Sequence, residues 1–321
     1  MFDFSGKIVV VTGGARGIGK CIREKFDKAG ATVCVIDLLD NDYFVGDLAD
    51  IIISSKRRCP MNRTPVSIEL SLFPQILHPF LSEAAIFDSS CSPDARVYFI
   101  DKDNGFYLKT APVGSLKAEA EMASFFHSKG LSPEVLTYES TDRDYFLTRA
   151  IPGEDCLDKL YLEDPKQLAE TLGLLLRKLH ETDSAGCPIA NRTTPFISAT
   201  KENHALSKWH PSLLSDSMKH FSIDDAWAAV QQFSAELKQD TLIHGDYCLP
   251  NIMLDNWQFS GFIDLDHAGV GDRHLDLFWG MWSLAFNLKT DRYRDRFLDA
   301  YGRDRINSEL FSVIAAAEVF G

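Results

Sequence analysis

The sequence predicts an α+β fold, in which a β-rich segment precedes an α-rich segment and a short βαβ unit precedes both. Two β-branched runs flank a glycine-rich turn near the N-terminus, three strand-like runs occupy residues 84–110, and amphipathic helical patterns dominate after residue 165. We expect four regions: a βαβ fragment at 1–50, a junction at 51–63, a β-rich lobe at 64–150 and an α-rich lobe at 151–321.

Length and composition limit the class of protein. The chain has 321 residues, of which 45% are hydrophobic and 25% charged, and it contains no apolar run long enough for a membrane span and no secretory signal pattern. Its seven scattered cysteines lack a C-x-x-C pair, which is typical of reduced cytoplasmic thiols. A net charge of −13 repels nucleic acid and attracts a small cation. We therefore expect a cytoplasmic protein that binds neither nucleic acid nor membranes.

The first fifty residues contain two predicted strands around a predicted helix. Lys7–Thr12 and Ala31–Leu38 are strand-like, Arg16–Ala29 has helical apolar spacing, and the turn at 13–19 is rich in glycine. With Asp37 placed to bond a ribose hydroxyl, the segment resembles the start of a short-chain dehydrogenase. A dinucleotide fold needs further βα units that do not follow, so we interpret it as a truncated Rossmann-like fragment and disfavour an NAD(P)-dependent dehydrogenase.

The β-rich lobe is predicted from alternating runs separated by polar turns. Ala84–Ser90, Ala95–Ile100 and Gly105–Thr110 favour three antiparallel strands. Ser115–Lys129 has helical spacing, and the apolar strand at Tyr145–Thr148 leads into a link to the next lobe.

The α-rich lobe begins with a strongly amphipathic helix at Pro165–His180. Asp183–Lys208 is polar and contains proline, which favours an irregular insert. Further helices are expected at Ser222–Leu237 and near Asp276–Leu288, Tyr293–Tyr301 and Glu309–Phe320.

A hairpin in this lobe carries the candidate chemistry. The apolar runs Ile252–Leu254 and Phe259–Ile263 predict antiparallel strands, so Asn251 at the start of the first meets Asp264 at the end of the second. Two hard oxygen ligands suit Mg²⁺. Asp246 lies five residues before Asn251, where a carboxylate can orient an acceptor hydroxyl and take its proton.

The spacing His-x-Asp-x-x-x-x-Asn, followed by a strand-end Asp, matches the protein-kinase catalytic loop. The local sequence contains HGD at 244–246, LPN at 249–251, GFID at 261–264 and GVGDR at 269–273. With these segments it resembles the aminoglycoside phosphotransferases of the 3'-hydroxyl type. This resemblance covers residues 61–321. It implies a bilobal protein-kinase-like fold and transfer of the γ-phosphoryl group of ATP, with Mg²⁺, to a hydroxyl of a cationic aminoglycoside, which confers antibiotic resistance.

The resemblance also assigns roles around the nucleotide. Lys109, at the end of an apolar strand, would hold the α- and β-phosphates, and Glu119 on the following helix would position it; Glu121 competes for this pairing. The small polar loop of Ser90 and Ser92 would donate to phosphate.

Two further assignments follow from the resemblance. The backbone from Arg149 to Ile151 would meet the adenine edge, and Glu318 near the C-terminus would bind the amino sugar. The remaining alternative is a related kinase whose acceptor is a macrolide or a choline-like alcohol.

Overall fold

The computed structural model describes residues 4, 8–12, 22–23, 25–26, 28–30, 32–36, 63–90, 95–209 and 222–320. The chain divides into two compact units, Met1–Arg58 and Cys59–Gly321.

In the first unit, β1 (Ile8–Thr12) pairs in parallel with β2 (Thr32–Ile36), with Ile8 opposite Thr32. A parallel pair requires a crossover connection, and the described residues at 22–23, 25–26 and 28 are helical. The glycine-rich turn at 13–19, Asp37 and most of the junction at 51–63 lie outside the described residues. The dehydrogenase-like interpretation of residues 1–50 therefore stays a prediction.

The second unit opens with a six-stranded antiparallel sheet of order β3-β4-β5-β6-β8-β7. Its strands are β3 (Thr64–Pro65), β4 (Ala85–Asp88), β5 (Arg96–Asp101), β6 (Phe106–Ala111), β7 (Val135–Ser140) and β8 (Asp144–Arg149). All three strands predicted between residues 84 and 110 are present, each shifted by one or two residues.

Alternation along the sheet separates a core face from a cleft face. Ile100, Phe106, Leu108 and Leu147 are buried together against Leu77, which precedes the short helix α1 (His78–Leu81). The alternate positions Tyr107 and Lys109 of β6 face the other way.

One long helix, α2 (Lys117–Ser128), connects β6 to β7 and lies close to β7. Its residues Met122 and Phe126 are fully buried in the core that continues into the helical part of the unit. This packing fixes the face of α2 that carries Glu119.

The helical lobe contains α3 (Lys159–Leu162), α4 (Pro165–His180), α5 (Thr193–Ala205), α6 (Ile223–Phe233), α7 (Arg273–Leu288), α8 (Arg294–Tyr301) and α9 (Ser308–Glu318). Short 3-10 turns occur at Leu70–Leu72, Gln75–Leu77, Ser234–Glu236, Leu249–Asn251 and Arg303–Arg305. The central helix α4 has the predicted bounds, because Asp164 caps its first turn and Pro165 occupies a position that needs no donor.

The expected irregular insert at Asp183–Lys208 is wrong for its second half, which is helix α5. Its proline, Pro195, lies in the first helical turn, where a missing backbone N–H costs nothing. Pro195 is therefore compatible with a helix at this position.

Small strands complete the helical lobe. β9 (Glu154–Asp155), β11 (Ile252–Asp255) and β12 (Gln258–Phe262) form one sheet, and β10 (Thr241–Ile243) pairs with β13 (Gly269–Gly271). In the described part of the chain, no helix is both long and apolar enough to cross a membrane. The architecture is the α+β, two-lobed arrangement predicted from the sequence.

Candidate active site

The β11–β12 hairpin sets the position of two candidate metal ligands. Its turn is only two residues long, Asn256 and Trp257, both with positive φ, as a tight hairpin requires. Ile252 pairs with Phe262, and the N–H of Ile263 donates to the carbonyl of Asn251 at 3.0 Å. The chain positions of Asn251 and Asp264 therefore flank the same end of the hairpin.

Asp264 itself has a φ of +58°, in the left-handed region that non-glycine residues rarely adopt. Such backbone conformations cluster at functional sites, where the surrounding structure holds them. Here the conformation turns the chain away from the hairpin and leaves the Asp264 side chain 31% exposed.

The Asp246 carboxylate is held from both sides by its own loop. The Nδ2 of Asn251 donates to its Oδ2 at 3.0 Å and to its carbonyl at 3.0 Å, and the Cys248 thiol donates to its Oδ1 at 3.1 Å. Because the Asn251 nitrogen is engaged with Asp246, the Asn251 oxygen is the side-chain atom suited to a cation.

A buried carboxylate fixes the turn that precedes Asp246. The two oxygens of Asp276, a fully buried residue of α7, accept from the backbone N–H groups of His244 and Gly245, each at 2.7 Å. Gly245 has a φ of +81°, and a Cβ there would lie 2.1 Å from the carbonyl oxygen of His267. The turn therefore requires glycine and an acceptor beneath it.

His180 continues this support. Its Nε2 lies 3.1 Å from Asp276 Oδ2 and its Nδ1 lies 2.9 Å from the hydroxyl of Tyr301. Burial lowers the pKa of His180 even though Asp276 opposes the shift, so the neutral ring donates to Asp276 and accepts from Tyr301. His180 is thus a structural residue whose partners are a carboxylate and a phenol.

The role of Asp276 is not evident from the sequence, because Asp272, at the start of the same helix, is an equal candidate to brace the loop. Asp272 instead accepts from the N–H of Lys238 at 2.7 Å and from His274 Nδ1 at 2.6 Å. The pKa of Asp272 is lowered, because these bonds outweigh the opposing effect of burial. One helical turn separates the two acids, so periodicity alone could not choose between them.

Lys109 lies between two carboxylates. Its Nζ is 2.7 Å from Glu119 Oε2 and 3.2 Å from Asp264 Oδ1. Glu121, the competing candidate, pairs instead with Lys117 at 3.9 Å on the exposed side of α2. The structure thus brings together one residue from the sheet, one from α2 and one from the end of the hairpin.

Electrostatics in this cluster favour a further cation. Burial alone would lower the pKa of the Lys109 ammonium, but Asp264 and Glu119 raise it above its ordinary value. The pKa of Glu119 is raised to about 7, mainly by burial. The Asp264 carboxylate also raises this pKa, whereas the Lys109 ammonium lowers it. Two carboxylates share one ammonium, so a bound cation beside Asp264 would relieve their repulsion.

The donor set fits Mg²⁺ in the manner used with nucleotides. Mg²⁺ prefers hard oxygen ligands and commonly takes one or two from the protein, with phosphate oxygens and water completing the shell. Asn251 and Asp264 provide such oxygens. No group of three or more His, Cys, Asp or Glu side chains able to hold a metal occurs among the described residues, so a cage made by protein acids alone is not found there.

The candidate phosphate-binding loop contains Ser90 and Ser92. Ser90 closes its loop, with its Oγ accepting from the N–H of Val97 at 2.9 Å and its own N–H donating to Asp88 at 2.9 Å. Ser92 lies outside the described residues.

The link between the lobes has an ordered backbone. The N–H of Ala150 donates to Gly105 at 3.0 Å and the N–H of Arg149 donates to Glu134 at 2.9 Å. Ala150 and Ile151 follow the last residue of β8 and belong to no strand. Gly153 then packs so closely on β11 that a Cβ would lie 2.0 Å from the Leu254 carbonyl oxygen.

On the acceptor side, Glu318 is buried and accepts from the Trp279 indole at 3.0 Å. Trp279 is a core residue. Trp282 and Phe286 are only half-buried and stack on each other with ring centroids 4.8 Å apart.

Comparisons with known proteins identify the family. Residues 91–311 match the phosphotransferase enzyme family. A probable aminoglycoside 3'-phosphotransferase of Lactococcus lactis subsp. lactis is 45% identical over 81% of this chain and 99% of its own length. A streptomycin 3''-kinase of Streptomyces griseus is 30% identical over 62% of this chain and 77% of its own.

Solved structures give the same fold. The crystal structure of a type VIII aminoglycoside-3'-phosphotransferase superposes with a TM-score of 0.60, at 22% identity, over 86% of this chain and all of that one. An aminoglycoside phosphotransferase from Streptomyces rimosus, in complex with ADP and streptomycin, has a TM-score of 0.56 at 22% identity, over 79% of this chain and all of that one. The chain belongs to the aminoglycoside phosphotransferase family of phosphotransferase enzymes.

Proposed function

We propose that the protein transfers the γ-phosphoryl group of ATP to the 3'-hydroxyl of an aminoglycoside antibiotic and so confers resistance from within the cytoplasm. The observation that carries the proposal is the meeting of Lys109, Glu119 and Asp264 beside a loop that fixes the Asp246 carboxylate. Phosphoryl transfer requires that the phosphate ligand Lys109, the metal ligand Asp264 and the proton acceptor Asp246 lie close together.

On the nucleotide side, Lys109 donates to the α- and β-phosphates and Glu119 keeps its side chain extended toward them. The carbonyl of Arg149 and the N–H of Ile151 meet the adenine edge, and the loop of Ser90 and Ser92 covers the phosphates. Asn251 and Asp264 would hold Mg²⁺, which when bound neutralises charge on the phosphate oxygens.

On the acceptor side, Asp246 accepts a hydrogen bond from the attacking hydroxyl and takes its proton as the new bond to the γ-phosphorus forms. The bond from that phosphorus to the bridging oxygen breaks, and ADP leaves with the electron pair. The loop contacts from Asn251 and Cys248 hold the carboxylate still, so little reorganisation accompanies transfer.

An aminoglycoside is the acceptor that the chain's charge and relatives favour. The net charge of −13 attracts a polycation, and Glu318 provides a carboxylate for an amino group. The 45% identical relative is described as a 3'-phosphotransferase, so macrolide and choline-like acceptors are not favoured.

The proposal is tested by ADP release from ATP and Mg²⁺ in the presence of kanamycin A or its 3'-deoxy analogue. We expect release with kanamycin A and only background release with the analogue, because the analogue lacks the attacking oxygen. Equal release with both acceptors would contradict the 3'-position, and background release with both would contradict an aminoglycoside of this type as acceptor.

A further inference from the structure

Helix α2 carries Glu119 but begins without a cap of its own. The residue before it, Leu116, has no polar side chain, and the first helical residue is the basic Lys117. A positive charge at a helix N-terminus adds to the positive end of the helix dipole, and the first backbone N–H groups need acceptors. The first turn does contain one acid, Glu119, but its side chain is bonded to Lys109, so the start of this helix has no side-chain cap of its own.

A carboxylate from β8 holds the turn that leads into the helix and bonds to Leu116, the residue before its first turn. Asp144 is fully buried, and its two oxygens accept from the N–H of Gly114 at 2.9 Å and the N–H of Leu116 at 2.8 Å. The Ser140 hydroxyl donates to it at 2.6 Å. Burial would raise the pKa of Asp144, but these bonds lower it below its ordinary value, so the carboxylate is ionised at neutral pH.

The position of Asp144 links the helix to the strand of Lys109. Strand β8 pairs with β6, with Phe146 opposite Lys109 and Asp144 opposite Ala111. Glu119 lies three residues beyond Leu116, about 4.5 Å along the helix axis. Lys109 is thus connected to Glu119 in two ways. One is the direct ion pair, and the other runs through the pairing of β6 with β8, the Asp144 carboxylate and the first turn of α2.

We propose that Asp144 is a positioning residue for nucleotide binding, which anchors the N-terminus of α2 so that Glu119 reaches Lys109. The inference rests on the proposed role of Lys109 as a phosphate ligand. Asp144 touches neither phosphate nor acceptor; it acts through the first turn of the helix.

The test compares Asp144→Ala with Asp142→Ala, an equivalent change of an exposed acid two residues earlier, in the turn between β7 and β8. Binding of a non-hydrolysable ATP analogue with Mg²⁺ is measured by titration calorimetry, and backbone exchange of residues 114–128 by hydrogen–deuterium exchange. For Asp144→Ala we expect about tenfold weaker analogue binding and faster exchange in that segment, because two N–H groups lose their acceptor. Asp142→Ala should change neither quantity by more than about twofold.

Two further measurements separate positioning from general destabilisation. The KM for ATP should rise in Asp144→Ala while the KM for the aminoglycoside changes less than about twofold. If Asp144→Ala does not fold, Asp144→Asn decides, because it keeps the size and one acceptor oxygen; we expect a smaller change in the same direction. Unchanged analogue binding in a folded variant, or an equal rise in both KM values, would overturn the proposal.

These outcomes are distinct from failure of the proposed function. Analogue binding and backbone exchange need no acceptor, so they report on Asp144 even if kanamycin A is not a substrate. Absence of analogue binding by the unmodified chain would count against the phosphotransferase proposal itself, and with it against Asp144 as a positioning residue for nucleotide.

Discussion

Replacing Asp246 by alanine is expected to lower kcat for aminoglycoside phosphorylation by about 10²- to 10⁴-fold while leaving ATP binding within about twofold of the unmodified chain. The carboxylate is the group placed to orient the attacking hydroxyl and accept its proton. Lys109, on which nucleotide binding is proposed to depend, is held by Glu119 and Asp264. The measurement is steady-state turnover with kanamycin A together with titration of an ATP analogue.

A matched control for this variant is Asp240→Ala, which removes an exposed acid just before β10. It should leave kcat within about twofold. Retained turnover in Asp246→Ala would remove Asp246 from its proposed role, whereas loss of both turnover and analogue binding would point to a collapsed loop and require Asp246→Asn.

Replacing Asp264 by alanine is expected to have its main effect on the nucleotide. The variant loses one of two proposed metal ligands and one of the two carboxylates that hold Lys109, so Mg²⁺-dependent binding of ATP should weaken by about 10²-fold or more. Titration of the ATP analogue with and without Mg²⁺ measures this directly. The difference between the two titrations should nearly disappear in the variant.

Asp266→Ala provides the comparison, since it removes an exposed carboxylate two residues away. We expect its analogue binding to keep the Mg²⁺ dependence of the unmodified chain. If Asp264→Ala also kept that dependence, the assignment of Asp264 as a metal ligand would be wrong.

Much of the site was predictable because it depends on local pattern. The hairpin follows from two short apolar runs, and its register places Asn251 and Asp264 at one end without any knowledge of the rest of the fold. The bounds of α4 were likewise predictable, because Asp164 and Pro165 are start signals that act within the helix itself.

Other features depend on contacts between distant segments. Asp276 braces a turn 31 and 32 residues before it, and Asp144 holds the turn that leads into α2 from 28 and 30 residues away. A helix whose start is held by another strand has no start signal of its own, which is why periodicity gave the bounds of α2 only to within two residues. The choice of Glu119 over Glu121 likewise needed the position of Lys109 in three dimensions.

Phosphoryl transfer to one hydroxyl of the acceptor is tested by the structure of the product. The full-length chain is incubated with ATP, Mg²⁺ and kanamycin A, and the product is examined by ³¹P–¹H correlation NMR. We expect a phosphate monoester on the 3'-oxygen, which is absent when Asp246→Ala replaces the unmodified chain. A phosphate on another hydroxyl, or inorganic phosphate with unmodified kanamycin A, would contradict it.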